Sequence, residues 1–263
     1  MGDVMMWVDG PLPKAAGLEA WARGVADVAD VAGVWTPKEG ALHMSRWDTG
    51  RLVDALRALQ AQGVKTRLTV WATSSVARWT QQAEWLARVF EACAVGGVER
   101  PGLDLDAESA WAGTATMESL ATFARRWDLE VSANYVPALH LSRQVRELAL
   151  AEWVSELIPQ AYSQYQPAVA WTHADLIRPR IFQRHALTQL ANLNAARTTP
   201  ARLRVGIMAA FQTHPDPHPK GLAALDAALD EARILGVHDV ALWSAKHLAR
   251  PATREWAEGL RAR

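Results

Sequence analysis

Residues 102–108 read Gly102-Leu103-Asp104-Leu105-Asp106-Ala107-Glu108, with a carboxylate at every second position and apolar residues between. Successive side chains of an extended strand leave opposite faces, so Asp104, Asp106 and Glu108 share one face and Leu103, Leu105 and Ala107 the other. Such a column is costly, because stacked acids repel one another and lose hydration. It is tolerable where protons are shared, where other polar groups donate to the carboxylates, or where a cation binds. The chemistries open to it are acid–base catalysis by paired carboxylates and oxygen ligation of a hard cation.

The elements that must position this column are spread along the whole chain. Short β-type runs at 4–9, 31–36, 65–71, 102–106, 130–135, 157–162, 204–210 and 237–243 alternate with helical patterns. The latter fall at 18–28, 50–62, 77–94, 116–127, 141–152, 184–196, 220–235 and 252–261. Leu52, Leu56 and Leu59, for example, form one helical stripe. Strand–helix alternation repeated this way in 263 residues predicts the α/β class: a single (β/α)8 TIM barrel, one domain over 1–263. Gly33, Gly63 and Gly236 stand at helix-to-strand joints, where a left-handed cap residue is expected. A loop insertion is expected at 165–179. In a barrel Leu103 and Leu105 must meet the helical layer, so the carboxylates face the axis and climb towards the C-terminal mouth, where barrel enzymes keep their sites.

Neighbouring strands supply compatible groups. Ile158, Gln160 and Tyr162 share a face of the sixth strand, with Tyr162 near the mouth, and Ser132 and Asn134 share a face of the fifth, with Glu130 below. Asp9 ends the first strand, Trp35 the second, Trp71 the third and Trp243 the eighth. Trp35 and Trp71 suit core or helix-facing positions equally well. Thirteen tryptophans is many for this length, and flat indoles at a barrel mouth suit the C–H faces of pyranose rings. Trp21, Trp79, Trp85, Trp127, Trp153 and Trp256 fall within or at the ends of helices and are expected to be ordinary packing.

The run at 102–108 resembles the signature of family 18 glycoside hydrolases, an Asp-Gly-x-Asp-x-Asp-x-Glu segment on the fourth barrel strand. Tyr162, Trp243 and the barrel order agree with it. The chain departs from the signature at Pro101, in its third strand (which lacks Ser-x-Gly-Gly), and at Ser163. It also resembles family 25 lysozyme-type barrels, through Asp9 and the pair Asp106 and Glu108. The resemblance implies cleavage of a β-1,4-linked N-acetylhexosamine polysaccharide, peptidoglycan or chitin-like. Glu108 would be the acid, Asp106 and Tyr162 would hold the sugar's acetamido group, and Asp104 would share a proton with Asp106. Asp9 would be the second acid of an ordinary two-carboxylate route. Asp9, Trp35, Trp71, Asn134, Gln160 and Trp243 would contact substrate.

Two other classes stay open. Asp9, Asp104, Asp106 and Glu108 suit Mg²⁺ or Ca²⁺, with His140, His173, His185, His214, His218 and His247 as further donors for a transition metal. His214 and His218, interleaved with prolines, make a stiff extended loop rather than one helical face. The third class is a barrel that binds glycans without cleaving them.

Bulk properties narrow the partners. Half the residues are hydrophobic and the formal net charge is zero, which argues against nucleic acid held by bulk charge. No apolar run is long enough to span a bilayer, and the first residues show no signal peptide. The expected setting is cytoplasmic, or release by lysis as with phage lysins. The lone Cys93, in an apolar helical stretch, is expected to be a buried, inert thiol. No cofactor is called for, and oligomeric state is left open.

Overall fold

In the computed structural model, residues 2–8, 25–35, 43–44, 49–71, 76–107, 114–135, 143–160, 177–208, 219–243, 255 and 257–260 are described. The elements are β1 (Val4–Val8), β2 (Val28–Trp35), β3 (His43–Met44), α1 (Thr49–Gln60), β4 (Lys65–Trp71), α2 (Val76–Val95), β5 (Gly102–Ala107) and α3 (Thr114–Trp127). They continue as β6 (Val131–Tyr135), α4 (Arg143–Leu150), β7 (Glu156–Pro159), α5 (Ile177–Ala195), β8 (Arg202–Met208), α6 (Pro219–Ile234) and β9 (Asp239–Trp243).

Eight of the strands are parallel and close on themselves in the order β1-β2-β4-β5-β6-β7-β8-β9, with β1 pairing both β2 and β9. The chain is a (β/α)8 barrel. Outward-facing strand residues such as Leu103, Leu105, Val131 and Val205 form one apolar cluster with the helices. α1 shows how the sequence dictates this: Leu52, Val53, Leu56 and Leu59 recur at helical spacing and are all buried. Trp79, Trp85 and Cys93 are buried in the same cluster, and Trp127 and Trp153 pack against it. No helix among the described residues is long and apolar enough to cross a membrane.

Several boundaries differ from those the sequence suggested. Val28 begins β2, paired with Met5 of β1, rather than ending a helix. Gly33 lies inside β2, where the register with β4 shifts between Ala32 and Val34, so it marks a strand irregularity and not a helix cap. β3 pairs antiparallel with the end of β2, an addition with no sequence signal. Residues 177–179 are helical, so the expected insertion at 165–179 does not extend to them; α4 ends at Leu150. Of the expected final helix, Glu255 and residues 257–259 are helical.

Four of the described helix-to-strand joints use one device. Gly63 (φ 76°), Gly97 (φ 63°) and Gly236 (φ 77°) adopt left-handed backbones. The next amide reaches back into the helix: Val64 to the Leu59 carbonyl at 3.2 Å, Val98 to Cys93 at 2.8 Å, Val237 to Ala232 at 2.9 Å. Asp128 (φ 49°) does the same without glycine, followed by Leu129 N–H to Ala124 at 3.0 Å.

Candidate active site

The barrel interior is layered, and each layer follows from alternation along a strand. At the floor, Arg67 of β4, Glu156 of β7 and Arg204 of β8 are fully buried. Glu156 accepts from the Arg67 guanidinium and from Arg204 Nε at 2.8 Å. Arg67 also reaches Glu130 at 2.9 Å, and Arg204 Nη1 donates to the Asp3 carbonyl at 2.9 Å. Two buried guanidinium groups therefore share one buried carboxylate. These residues were legible by the reasoning applied to 102–108: Lys65, Arg67 and Thr69 alternate with Thr66, Leu68 and Val70, as Arg202, Arg204 and Gly206 do with Leu203 and Val205.

Above the floor sits Asp104, with no exposed surface. Ser132 Oγ donates to its Oδ1 at 2.7 Å, while Asn134 Nδ2 at 2.6 Å and Trp7 Nε1 at 3.3 Å donate to its Oδ2. Trp7 comes from β1, across the barrel, and was missed by sequence reasoning. Its place depends on Gly206: a Cβ there would lie 3.2 Å from the indole Cη2 and 2.9 Å from the Pro159 carbonyl oxygen. Burial pushes the Asp104 carboxyl above the usual range, against the pull of Ser132, Arg67, Trp7 and Asn134.

The upper layer holds Asp106, which is partly buried. Gln160 Nε2 donates to Asp106 Oδ1 at 3.1 Å and also to the Asn134 side-chain oxygen. Asp104 and Asp106 are thus joined through Asn134 and Gln160. The apolar residues Met5, Trp7, Val28, Ile158 and Ala241 form a separate buried cluster there.

A further acid, Asp30 of β2, was not among the sequence candidates. It shares the inward face of β2 with Val28, has no exposed surface, and neither carboxyl oxygen has a hydrogen-bond partner. Burial first, then Asp104, push its carboxyl well above the usual range, with Glu156 adding and Arg67 and Arg204 opposing. The expected strand start at residue 31 had left Asp30 outside β2, which hid its facing.

Of the expected site residues, Asp104, Asp106, Asn134 and Gln160 are brought together. Glu108, Tyr162 and Asp9 lie outside the described residues, as do the side chains of Trp35, Trp71 and Trp243, although the backbones of these tryptophans end β2, β4 and β9. Trp71 pairs in register with Asp106, and Trp243 with Trp7. Among the described residues no group of three His, Cys, Asp or Glu is placed to hold a metal; of the histidines considered as metal donors, only His185 belongs to them, and it is exposed.

In fold, this is a (β/α)8 barrel of the kind that family 18 glycoside hydrolases have. Solved structures similar to it include a chitinase from Chromobacterium violaceum, at 12% identity and TM-score 0.65 over 100% of both chains. The xylanase and α-amylase inhibitor protein XAIP-II of Scadoxus multiflorus matches at 13% identity and TM-score 0.65, over 99% of this chain and 98% of that one. The Bacillus cereus spore cortex-lytic enzyme SleL matches at 10% identity and TM-score 0.63, over 97% and 73%. At such identities the likeness is one of fold. No protein-family model matches the sequence, and no curated protein matches it.

Proposed function

We propose that this protein is a glycoside hydrolase that cleaves β-1,4-linked N-acetylhexosamine polysaccharide, peptidoglycan or chitin-like, by acid catalysis from β5. The observation that carries the reading is the buried Asp104, held by three donors beneath Asp106 on one face of that strand. A barrel interior needs no acid there for packing, and three donors converging on one carboxylate make a fixed polar support. Glu108 follows on the same face by alternation and is the acid that protonates the glycosidic oxygen. Asp106, ordered by Gln160, orients the acetamido N–H of the sugar so that the acetamido oxygen attacks the anomeric carbon, while Tyr162 donates to that carbonyl. Trp35, Trp71 and Trp243, which end β2, β4 and β9, contact the sugar chain, as does Asp9. Similar folds named as a chitinase and a cortex-lytic enzyme support this substrate class.

A second reading is a barrel that binds glycan or protein without cleaving bonds. The similar fold named as an inhibitor protein favours it, as do Pro101 and the third strand without Ser-x-Gly-Gly. Incubation with purified peptidoglycan and with chitin oligomers, read by product mass, separates the two. New reducing ends establish the hydrolase and their masses identify the bond; tight binding without products establishes the second reading.

A further inference from the structure

We propose that Asp30 is a positioning acid of the site: it holds a proton beneath Asp104, and by staying neutral it leaves Asp104 as the anion that orders Asp106. The inference rests on the reading above for its catalytic meaning, but its physical basis is the barrel interior. Two carboxyls lie inside the barrel, Asp30 on β2 and Asp104 on β5, both without exposed surface. Two negative charges in such a place are mutually unfavourable, so one group keeps its proton. The donors decide which. Both oxygens of Asp104 already accept hydrogen bonds, two of them on Oδ2. Neither oxygen of Asp30 accepts any.

The charged groups that face Asp30 are Asp104 of β5, Arg67 of β4, Glu156 of β7 and Arg204 of β8. Arg67 is the one register-paired with Asp30, and an Asp30–Arg67 ion pair is the obvious alternative. The geometry assigns Arg67 elsewhere: its guanidinium is bonded to Glu156 and to Glu130. Arg204 is likewise bonded to Glu156 and to the Asp3 and Val240 carbonyls, so neither cation hydrogen-bonds to Asp30, in line with the upward shift of the Asp30 carboxyl. Asp104, kept charged, holds the amide of Asn134, which accepts from Gln160, which in turn donates to Asp106. A charge on Asp30 would compete with this arrangement and weaken the fixed orientation of Asp106.

The test compares Asp30→Asn with the wild type, and two of its arms need no substrate. In infrared difference spectra at neutral pH, the wild type shows the carbonyl stretch of a protonated carboxyl that Asp30→Asn lacks; identical spectra overturn the proposal. In urea unfolding across pH, the sign is decisive. A neutral Asp30 has a folded pKa above its unfolded one, so its contribution to stability is complete at low pH and is lost as pH rises towards the folded pKa. Asp30→Asn cannot ionise and escapes this loss. Its folding constant relative to wild type therefore climbs by up to about tenfold per pH unit above about pH 4. An Asp30 charged and paired with Arg67 gives the opposite: Asp30→Asn is the weaker protein at neutral pH and the gap closes on acidification. Where Asp30→Asn fails to fold, the wild type and Asp104→Asn are titrated instead, and the carbonyl band disappears at lower pH in Asp104→Asn because the neighbouring charge is gone. An unmoved band overturns the assignment. On N-acetylated oligosaccharide the ratio of Asp30→Asn to wild-type kcat/KM rises with pH, whereas a merely structural role gives a constant ratio and overturns the positioning role. Expected infrared and stability results in a wild type that cleaves no sugar overturn the hydrolase reading and leave the proton where it is placed here.

Discussion

Replacing Asn134 by alanine tests the link between the two aspartates directly. Asn134 is 1% exposed, donates to Asp104 at 2.6 Å and accepts from Gln160. A hydrogen bond to an ionised group contributes about 1.5–3 kcal/mol and a neutral one about 0.5–1.5 kcal/mol, so the variant is expected to lose about 2–4.5 kcal/mol of stability at neutral pH. The loss depends on pH in a definite direction. Asp104 already titrates above the usual carboxylate range, burial being the main cause, and Asn134 is one of the groups holding it down. Without Asn134 the folded pKa moves further up while the unfolded one stays near about 3.9. The native state then keeps a proton that the unfolded chain has released, so stability is lost as pH rises through that window. Urea unfolding should show the smallest difference near about pH 4 and a growing one towards about pH 8. Turnover of chitin oligomers should drop by roughly 10–100-fold, the scale of a small misplacement of reacting groups. A variant within about 0.5 kcal/mol of wild type at every pH, in the range of an ordinary surface change, would refute the coupling.

Glu108→Gln keeps shape and removes the transferable proton, so turnover should fall ~10²–10⁴-fold with an unchanged urea midpoint; an equally active variant misassigns the acid. Activity should survive prolonged EDTA treatment, and Tyr162→Phe should reduce turnover on N-acetylated sugars ~10–10³-fold, by analogy with the loss of one oxyanion donor. Loss with EDTA, recovery with added Mg²⁺ or Zn²⁺, and an indifferent Tyr162→Phe would make the acidic strand a metal site instead. Glu156→Gln leaves the buried Arg67 and Arg204 without their shared carboxylate, and denaturation should show a loss of about 3–5 kcal/mol. A near-wild-type midpoint there would mean that the floor of the barrel tolerates two buried guanidinium groups without the carboxylate between them.

The sequence by itself determined the architecture, because the two hydrophobic periods are local properties. Period-two runs and helical stripes place most of the described strands and helices within a few residues, and the leucines of 102–108 oblige Asp104 and Asp106 to face inwards. It also marked Asn134 and Gln160 as inward-facing companions of the acids, by the same alternation. What it did not determine is which groups meet across the barrel. Trp7 and Asp104 are 97 residues apart and Arg67 and Glu156 are 89 apart, joined only when the sheet closes and brings β1 over β5 and β4 opposite β7. Asp30 shows the limit most clearly. Alternation shows which way it points once β2 is known to start at Val28, but that start is fixed by parallel pairing with β1, not by the residues before it. Its lack of partners is likewise a property of the closed interior, where Arg67 is already bonded to Glu156 and Glu130 and the donors Ser132, Asn134 and Trp7 are turned to Asp104. Local chemistry chose the acids; closure of the barrel decided their partners and, on the assignment proposed here, their charge.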